Sequence, residues 1–121
     1  MSLKGKRVLV VEDEAVVCMM IEDFFNDIGC QVVATASTLE EALGKSNTLE
    51  MDAAILDINL GGQLSYPVAA VLTARQIPFL FATGYGAAGL PPDLKYVPVL
   101  SQPFGIEQLE ETLRRALAKP A

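Results

Sequence analysis

Apolar residues come in short unbroken runs separated by polar, periodic segments, and this alternation repeats five times along the chain. Residues 7–12 (Arg-Val-Leu-Val-Val-Glu) lack the period-two alternation of a half-exposed strand. They predict a strand covered on both faces, and 52–57 (Asp-Ala-Ala-Ile-Leu-Asp) predict another. Residues 31–35, 78–83 and 97–101 complete a set of five. Between the first two, Val17, Ile21, Phe24 and Ile28 recur at i, i+4, i+7 and i+11, so a helix over 14–28 is expected to bury that face and stop at Gly29. Thr38-Leu39-Glu40-Glu41 has the spacing of a capping box and starts a second helix running to about Lys45. A third covers 68–75, entered through Tyr66-Pro67. In the last, Ile106, Leu109, Leu113 and Leu117 form a stripe opposite Glu107, Glu110, Glu111 and Arg114.

Right-handed crossovers on five parallel strands lead to a doubly wound, flavodoxin-like α/β fold, most simply of order 2-1-3-4-5. Residues 84–92 (Gly-Tyr-Gly-Ala-Ala-Gly-Leu-Pro-Pro) are poor helix material where the fourth helix belongs, so that helix is expected to be degenerate. Gly61-Gly62 predict a flexible loop after the third strand. No linker or repeat interrupts the chain, which closes on Lys119-Pro120-Ala121. The expectation is one domain over 1–121 with no output domain.

Two of the buried runs end in acid, Glu12-Asp13 and Asp57. A β-rich apolar stretch gains nothing from a terminal carboxylate unless it sits at an exposed strand end. In the expected order the first and third strands are neighbours, so the three acids share the rim where ligands bind in open α/β sheets. Gathered there they repel one another and invite a hard, oxygen-seeking cation such as Mg²⁺. Thr83, ending the fourth strand, and Gln102-Pro103, after the fifth, join the same rim.

Composition narrows the chemistry. With a net charge of −6 over 121 residues, the chain is a poor partner for nucleic acid, which calls for clustered Lys and Arg. Lys4, Lys6 and Arg7 are the dense basic group, and they flank a strand. The absence of histidine removes His-based catalysis, His metal ligands and phosphohistidine formation within this chain. Cys18 and Cys30 belong to no metal-spaced set and read as two buried thiols of a reducing cytosol. No apolar stretch approaches the ~20 residues that span a bilayer, so a cytoplasmic protein without membrane attachment is expected.

Val-Glu-Asp-Glu at 11–14, Leu-Asp-Ile-Asn-Leu at 56–60, Ala-Thr-Gly at 82–84 and Gln-Pro-Phe at 102–104 together resemble the CheY-like receiver domain of two-component response regulators, over residues 7–117. Phe81-Ala82-Thr83-Gly84-Tyr85-Gly86 looks like a stand-alone alphaproteobacterial subgroup whose fourth helix is degenerate. The resemblance implies a phosphorelay switch rather than a small-molecule enzyme. Asp57 would accept a phosphoryl group from a histidine kinase or histidine phosphotransfer protein. Glu12, Asp13, Asp57 and the backbone carbonyl of Asn59 would hold Mg²⁺, Thr83 would bond a phosphoryl oxygen, and Gln102-Pro103 would be cis. It also allows a downstream protein partner or a homodimer.

Two positions depart from the family pattern. Gln102 stands where the family has a lysine that pairs with the phosphoryl group, and Val99 where many members carry Tyr or Phe. These departures support an alternative, a degenerate receiver that docks or dimerises without phosphorylation. Two further readings are weaker. Gly84, Gly86 and Gly89 spell the dinucleotide motif G-x-G-x-x-G, but Pro91-Pro92 follow where that motif needs a helix. Asp57-Ile58-Asn59 resembles the Asp-x-Asp of aspartyl-phosphate phosphatases with the second acid missing. Met19 and Met20 are expected to finish the first helix's packing, or to face a docking kinase.

Overall fold

All five apolar runs form strands of one parallel sheet. The computed structural model describes residues 2–84 and 89–118. In chain order its elements are β1 (Arg7–Val11), α1 (Ala15–Ile28), β2 (Gln31–Ala36), α2 (Leu39–Thr48), β3 (Ala53–Asp57), β4 (Asn59–Leu60), β5 (Gln63–Leu64), α3 (Tyr66–Ala74), β6 (Phe79–Thr83), a 3-10 turn (Pro92–Leu94), β7 (Val99–Ser101) and α4 (Ile106–Ala118). The sheet order is β2-β1-β3-β6-β7, the expected doubly wound order once the small β4–β5 hairpin is set aside.

Successive residues of a strand face opposite sides of the sheet, so the unbroken apolar runs fill two cores. Leu9, Val11, Ala54, Leu56, Phe79 and Phe81 pack with Ala42 of α2 and Leu72 of α3. Val8, Val10, Ala53, Ile55, Leu80 and Ala82 pack with Ile21 and Phe25 of α1 and Leu109 and Leu113 of α4. At the amino ends of the strands Arg7 clasps Asp52, Nε to Oδ2 at 3.2 Å. The densest basic group therefore lies at the end of the sheet remote from the acids.

Several boundaries and faces differ from expectation. Phe25, not Phe24, is the buried aromatic of α1; Phe24 lies half-buried with its ring centroid 6.3 Å from that of Phe104. Met20 packs against the core, whereas Met19 is 62% exposed and finishes no packing. Cys30 is buried but Cys18 only half so. β7 begins at Val99 rather than at 97, since Pro98 has no N–H to contribute to a ladder, although its carbonyl still accepts from Phe81.

Gly61-Gly62, expected to be a flexible loop, instead close the β4–β5 hairpin, with φ of +58° and +93°. A two-residue hairpin loop needs that left-handed region, which glycine enters without strain. Between β6 and β7 the described residues 89–98 contain only the 3-10 turn, in keeping with a degenerate fourth helix. Residues 85–88 of the 84–92 stretch and of the G-x-G-x-x-G spacing lie outside the described residues, as do 119–121.

α2 starts at its expected cap, Thr38, but the returning bond of the capping box lands one residue early, on Ser37. Thr38 Oγ1 accepts from the Glu41 N–H at 3.1 Å, and Glu41 Oε1 reaches back to the Ser37 N–H at 3.2 Å. Thr38→Ala should cost about 1 kcal/mol, measured as a lowered urea midpoint at unchanged slope.

Candidate functional site

β1 and β3 run side by side with Val11 paired to Leu56, which sets Glu12, one residue on, beside Asp57 at the rim. One carboxylate oxygen from each of Glu12, Asp13 and Asp57 lies within 4.8 Å of the others. The three differ in exposure: Glu12 is 3% exposed, Asp57 half-buried and Asp13 exposed. Each accepts a backbone amide. The Glu14 N–H donates to Glu12 Oε2 at 3.1 Å, the Gly61 N–H to Asp13 Oδ2 at 3.0 Å, and the Asn59 N–H to the Asp57 carboxylate.

Crowding and burial set the charge state of this cluster. Burial pushes the Glu12 carboxyl up to about 8; the Glu14 amide opposes this, while Asp57 and Asp13 add to it. Burial likewise raises Asp57 to about 6, against the pull of bonds from Glu12 and the Asn59 amide. The two carboxyls titrate as a pair, which holds on to a proton to higher pH than separate carboxyls would.

A cleft of about 460 Å³ opens over Asp13 and Asp57, with Glu12 buried beside them. Asp13, Asp57, Asn59, Thr83 and Gln102 line it, and among the described residues no lysine or arginine does. Thr83 ends β6, which is anchored two residues earlier by buried Phe81, edge-on to Tyr66 at 6.1 Å. The Thr83 carbonyl accepts from the Gln102 N–H at 2.8 Å, tying β6 to the segment after β7. There the Gln102–Pro103 bond is cis, and buried Phe104 anchors the chain just beyond it. The Gln102 side chain reaches Glu12, Nε2 to Oε1 at 3.5 Å. Val99, half-buried in β7, packs on the core shared with α2 and α3.

All six residues singled out in the sequence thus meet at one rim. What sequence reasoning missed is the hairpin turn, whose Gly61 amide holds Asp13. Its signal was two adjacent glycines between Leu60 and Gln63, a two-residue hairpin pattern.

A family model described as "Response regulator receiver domain" matches residues 8–114. The chain belongs to that family. Receiver domains are signalling modules of two-component systems rather than small-molecule enzymes, and they interact with histidine kinases or phosphotransfer proteins. This receiver domain is similar to SdrG from Sphingomonas melonis Fr1, 40% identical over 98% of this chain and 100% of that one, TM-score 0.84. It is also similar to SdrG in a BeF3-activated conformation, 39% identical with the same coverage and a TM-score of 0.81. The response regulator PhyR from Brucella abortus is 26% identical over 93% of this chain and 48% of its own, TM-score 0.80. CheY of Thermotoga maritima is 38% identical over 56 residues, 46% of this chain and 47% of that protein. The chain spans between 16% and 58% of the length of the curated relatives it matches. Among the described residues no helix is long and apolar enough to cross a membrane.

Receiver domains bind Mg²⁺ at an acidic site, and the donor set here fits that ion. Three carboxylates supply hard oxygens, the exposed side of the cleft admits the waters that Mg²⁺ retains, and among the described residues no cysteine lines that cleft.

Proposed function

We propose that this receiver domain accepts a phosphoryl group on Asp57 from a partner's phosphohistidine, with Mg²⁺ held by Glu12, Asp13, Asp57 and the backbone carbonyl of Asn59. The observation that carries this reading is the gathering of three carboxylates within 4.8 Å, two of which, Asp13 and Asp57, line a cleft shared with Thr83 and Gln102. An Asp57 oxygen attacks phosphorus in line, the new O–P bond forms as the P–N bond to the donor imidazole breaks, and the bonding pair leaves with the nitrogen. Bound Mg²⁺ supplies positive charge that offsets repulsion between the carboxylate and the phosphoryl oxygens. The Asn59 amide holds one face of the Asp57 carboxylate and so orients it for attack. Thr83 and Gln102 offer a hydroxyl and an amide to the phosphoryl oxygens.

The reading is tested by incubation with acetyl phosphate and Mg²⁺, then intact-mass measurement. One added phosphoryl group per chain is expected. No labelling under conditions that label other receivers favours the docking-module reading.

Gln102 sets how strongly the product is held. A bond to a charged group is worth roughly 1.5–3 kcal/mol net against about 1 for a neutral pair. Restoring a cation should therefore gain about 1 kcal/mol, around fivefold. Gln102→Lys is expected to tighten binding of beryllofluoride, the mimic to which SdrG responds, by that factor in a calorimetric titration. Unchanged or weaker binding would remove Gln102 from the phosphoryl shell.

A further inference from the structure

The β4–β5 hairpin is tied to the acid cluster at both ends of its first half. The Asn59 N–H donates to Asp57, and the Gly61 N–H donates to Asp13 Oδ2 at 3.0 Å. Within the hairpin the Asn59 side-chain Oδ1 accepts from the Gly62 N–H at 2.7 Å. Two paired residues a side are too few to hold a ribbon in water. The base is secured by buried Leu60 and by the Ser65 N–H donating to the Ile58 carbonyl at 2.8 Å. The tip lies in solvent, with Gly61 and Gly62 both exposed. Asp13 is exposed too, so the direction of its carboxylate depends on where the Gly61 amide is held.

We propose that Asn59 is a positioning residue: its side-chain oxygen locks the Gly61-Gly62 turn, and the locked turn holds Asp13 and Asp57 ready for a divalent cation. The inference rests on the receiver-site reading and adds to it a role for the Asn59 side chain, distinct from that of its carbonyl. A ligand group already held in place loses less freedom on binding, so removing the lock weakens the ion without removing a single ligand atom. The spacing from acceptor to donor is three residues, the same by which Thr38 caps α2 through Glu41.

The test is an Mg²⁺ titration monitored by ¹⁵N–¹H NMR on the wild type, Asn59→Ala and Asn59→Ser. Asn59→Ala is expected to bind Mg²⁺ about fivefold more weakly. Its Gly61 and Gly62 amides should exchange faster, with β1 and β3 amides unchanged. Asn59→Ser, whose hydroxyl can accept the same amide, should recover most of the affinity. Gly62→Ala gives an independent check: the added methyl meets nothing within 4 Å, but the φ of +93° opposes it, so the turn is strained with Asn59 intact. It too should weaken Mg²⁺. If Asn59→Ala binds Mg²⁺ as the wild type does, the positioning role is lost and the receiver site stands. If affinity falls only together with disturbed β1 and β3 amides, Asn59 is a structural residue and the proposal is overturned. A wild type indifferent to millimolar Mg²⁺ removes both readings.

Discussion

Asp57→Asn is expected to abolish phosphoryl labelling outright and, in the absence of metal, to leave the protein more stable than the wild type. The first effect comes from removing the attacking oxygen, since an amide is no nucleophile toward phosphorus. The second comes from the burial of a carboxylate in a crowded cluster. Asp57 ionises with difficulty because it is partly buried and, to a smaller extent, because Asp13 stands beside it, its carboxyl raised to about 6 from 3.8. A neutral amide removes that penalty and can donate to Glu12. The gain at pH 8 should be of the order of 1–3 kcal/mol, reduced from the full linkage value by partial exposure. Intact-mass analysis reads the first effect and urea denaturation the second. Equal labelling of both proteins would move the acceptor elsewhere, and a less stable variant would mean that the carboxylates support one another.

Mg²⁺ should stabilise the fold, and more so at higher pH. Glu12 and Asp57 have folded values of about 8 and about 6, above ordinary values of 4.5 and 3.8. Between those limits the folded state binds more protons than the unfolded one, so the metal-free protein loses stability as pH rises through the range in which the pair titrates. A cation competes for the oxygens that hold those protons, so its binding releases protons and tightens as pH climbs. At a concentration 100 times its dissociation constant an ion contributes about 2.7 kcal/mol, on the order of ten degrees of melting temperature for a chain of this size. Asp13→Asn should remove most of the shift. Melts at pH 5.5 and 8, with and without Mg²⁺, decide the matter. A metal-free stability that rises over this range, or a wild type insensitive to Mg²⁺, would contradict the cluster's assigned charge state.

The acids were legible because apolar runs that end in carboxylates are rare, and strand order alone places Glu12, Asp13 and Asp57 together. The two-face packing of β1 and β3 was legible for the same reason: no polar residue breaks either run. Less could be read where a boundary depends on a distant residue. α2 runs to Thr48 rather than to about Lys45. The Arg75 guanidinium crosses from the end of α3 to bond the carbonyls of Ser46 and Leu49, at 2.6 and 2.9 Å. No local signal announces a cap 26 and 29 residues away. Phe24 and Phe25 are adjacent on a helix, and which of them is enclosed depends on tertiary neighbours such as Phe104, which the local periodicity does not show. The hairpin was readable in principle from Gly61-Gly62, but its bond to Asp13 joins residues 48 apart and needs the sheet to be in place.

That separation has a consequence for the unfolded chain. In a contiguous loop the acids stay near one another after the fold is lost, and a cation still finds partial company in the denatured ensemble. Here Val11 and Leu56 must pair before Glu12 and Asp57 meet at all. Of the site's three carboxylates a disordered chain keeps only Glu12 and Asp13 close together, so it competes feebly for the ion. The cation therefore discriminates between the states almost completely, and its presence reports the side-by-side seating of β1 and β3 rather than acidity as such. A chain ending before β3 would keep two of the three carboxylates and lose the site.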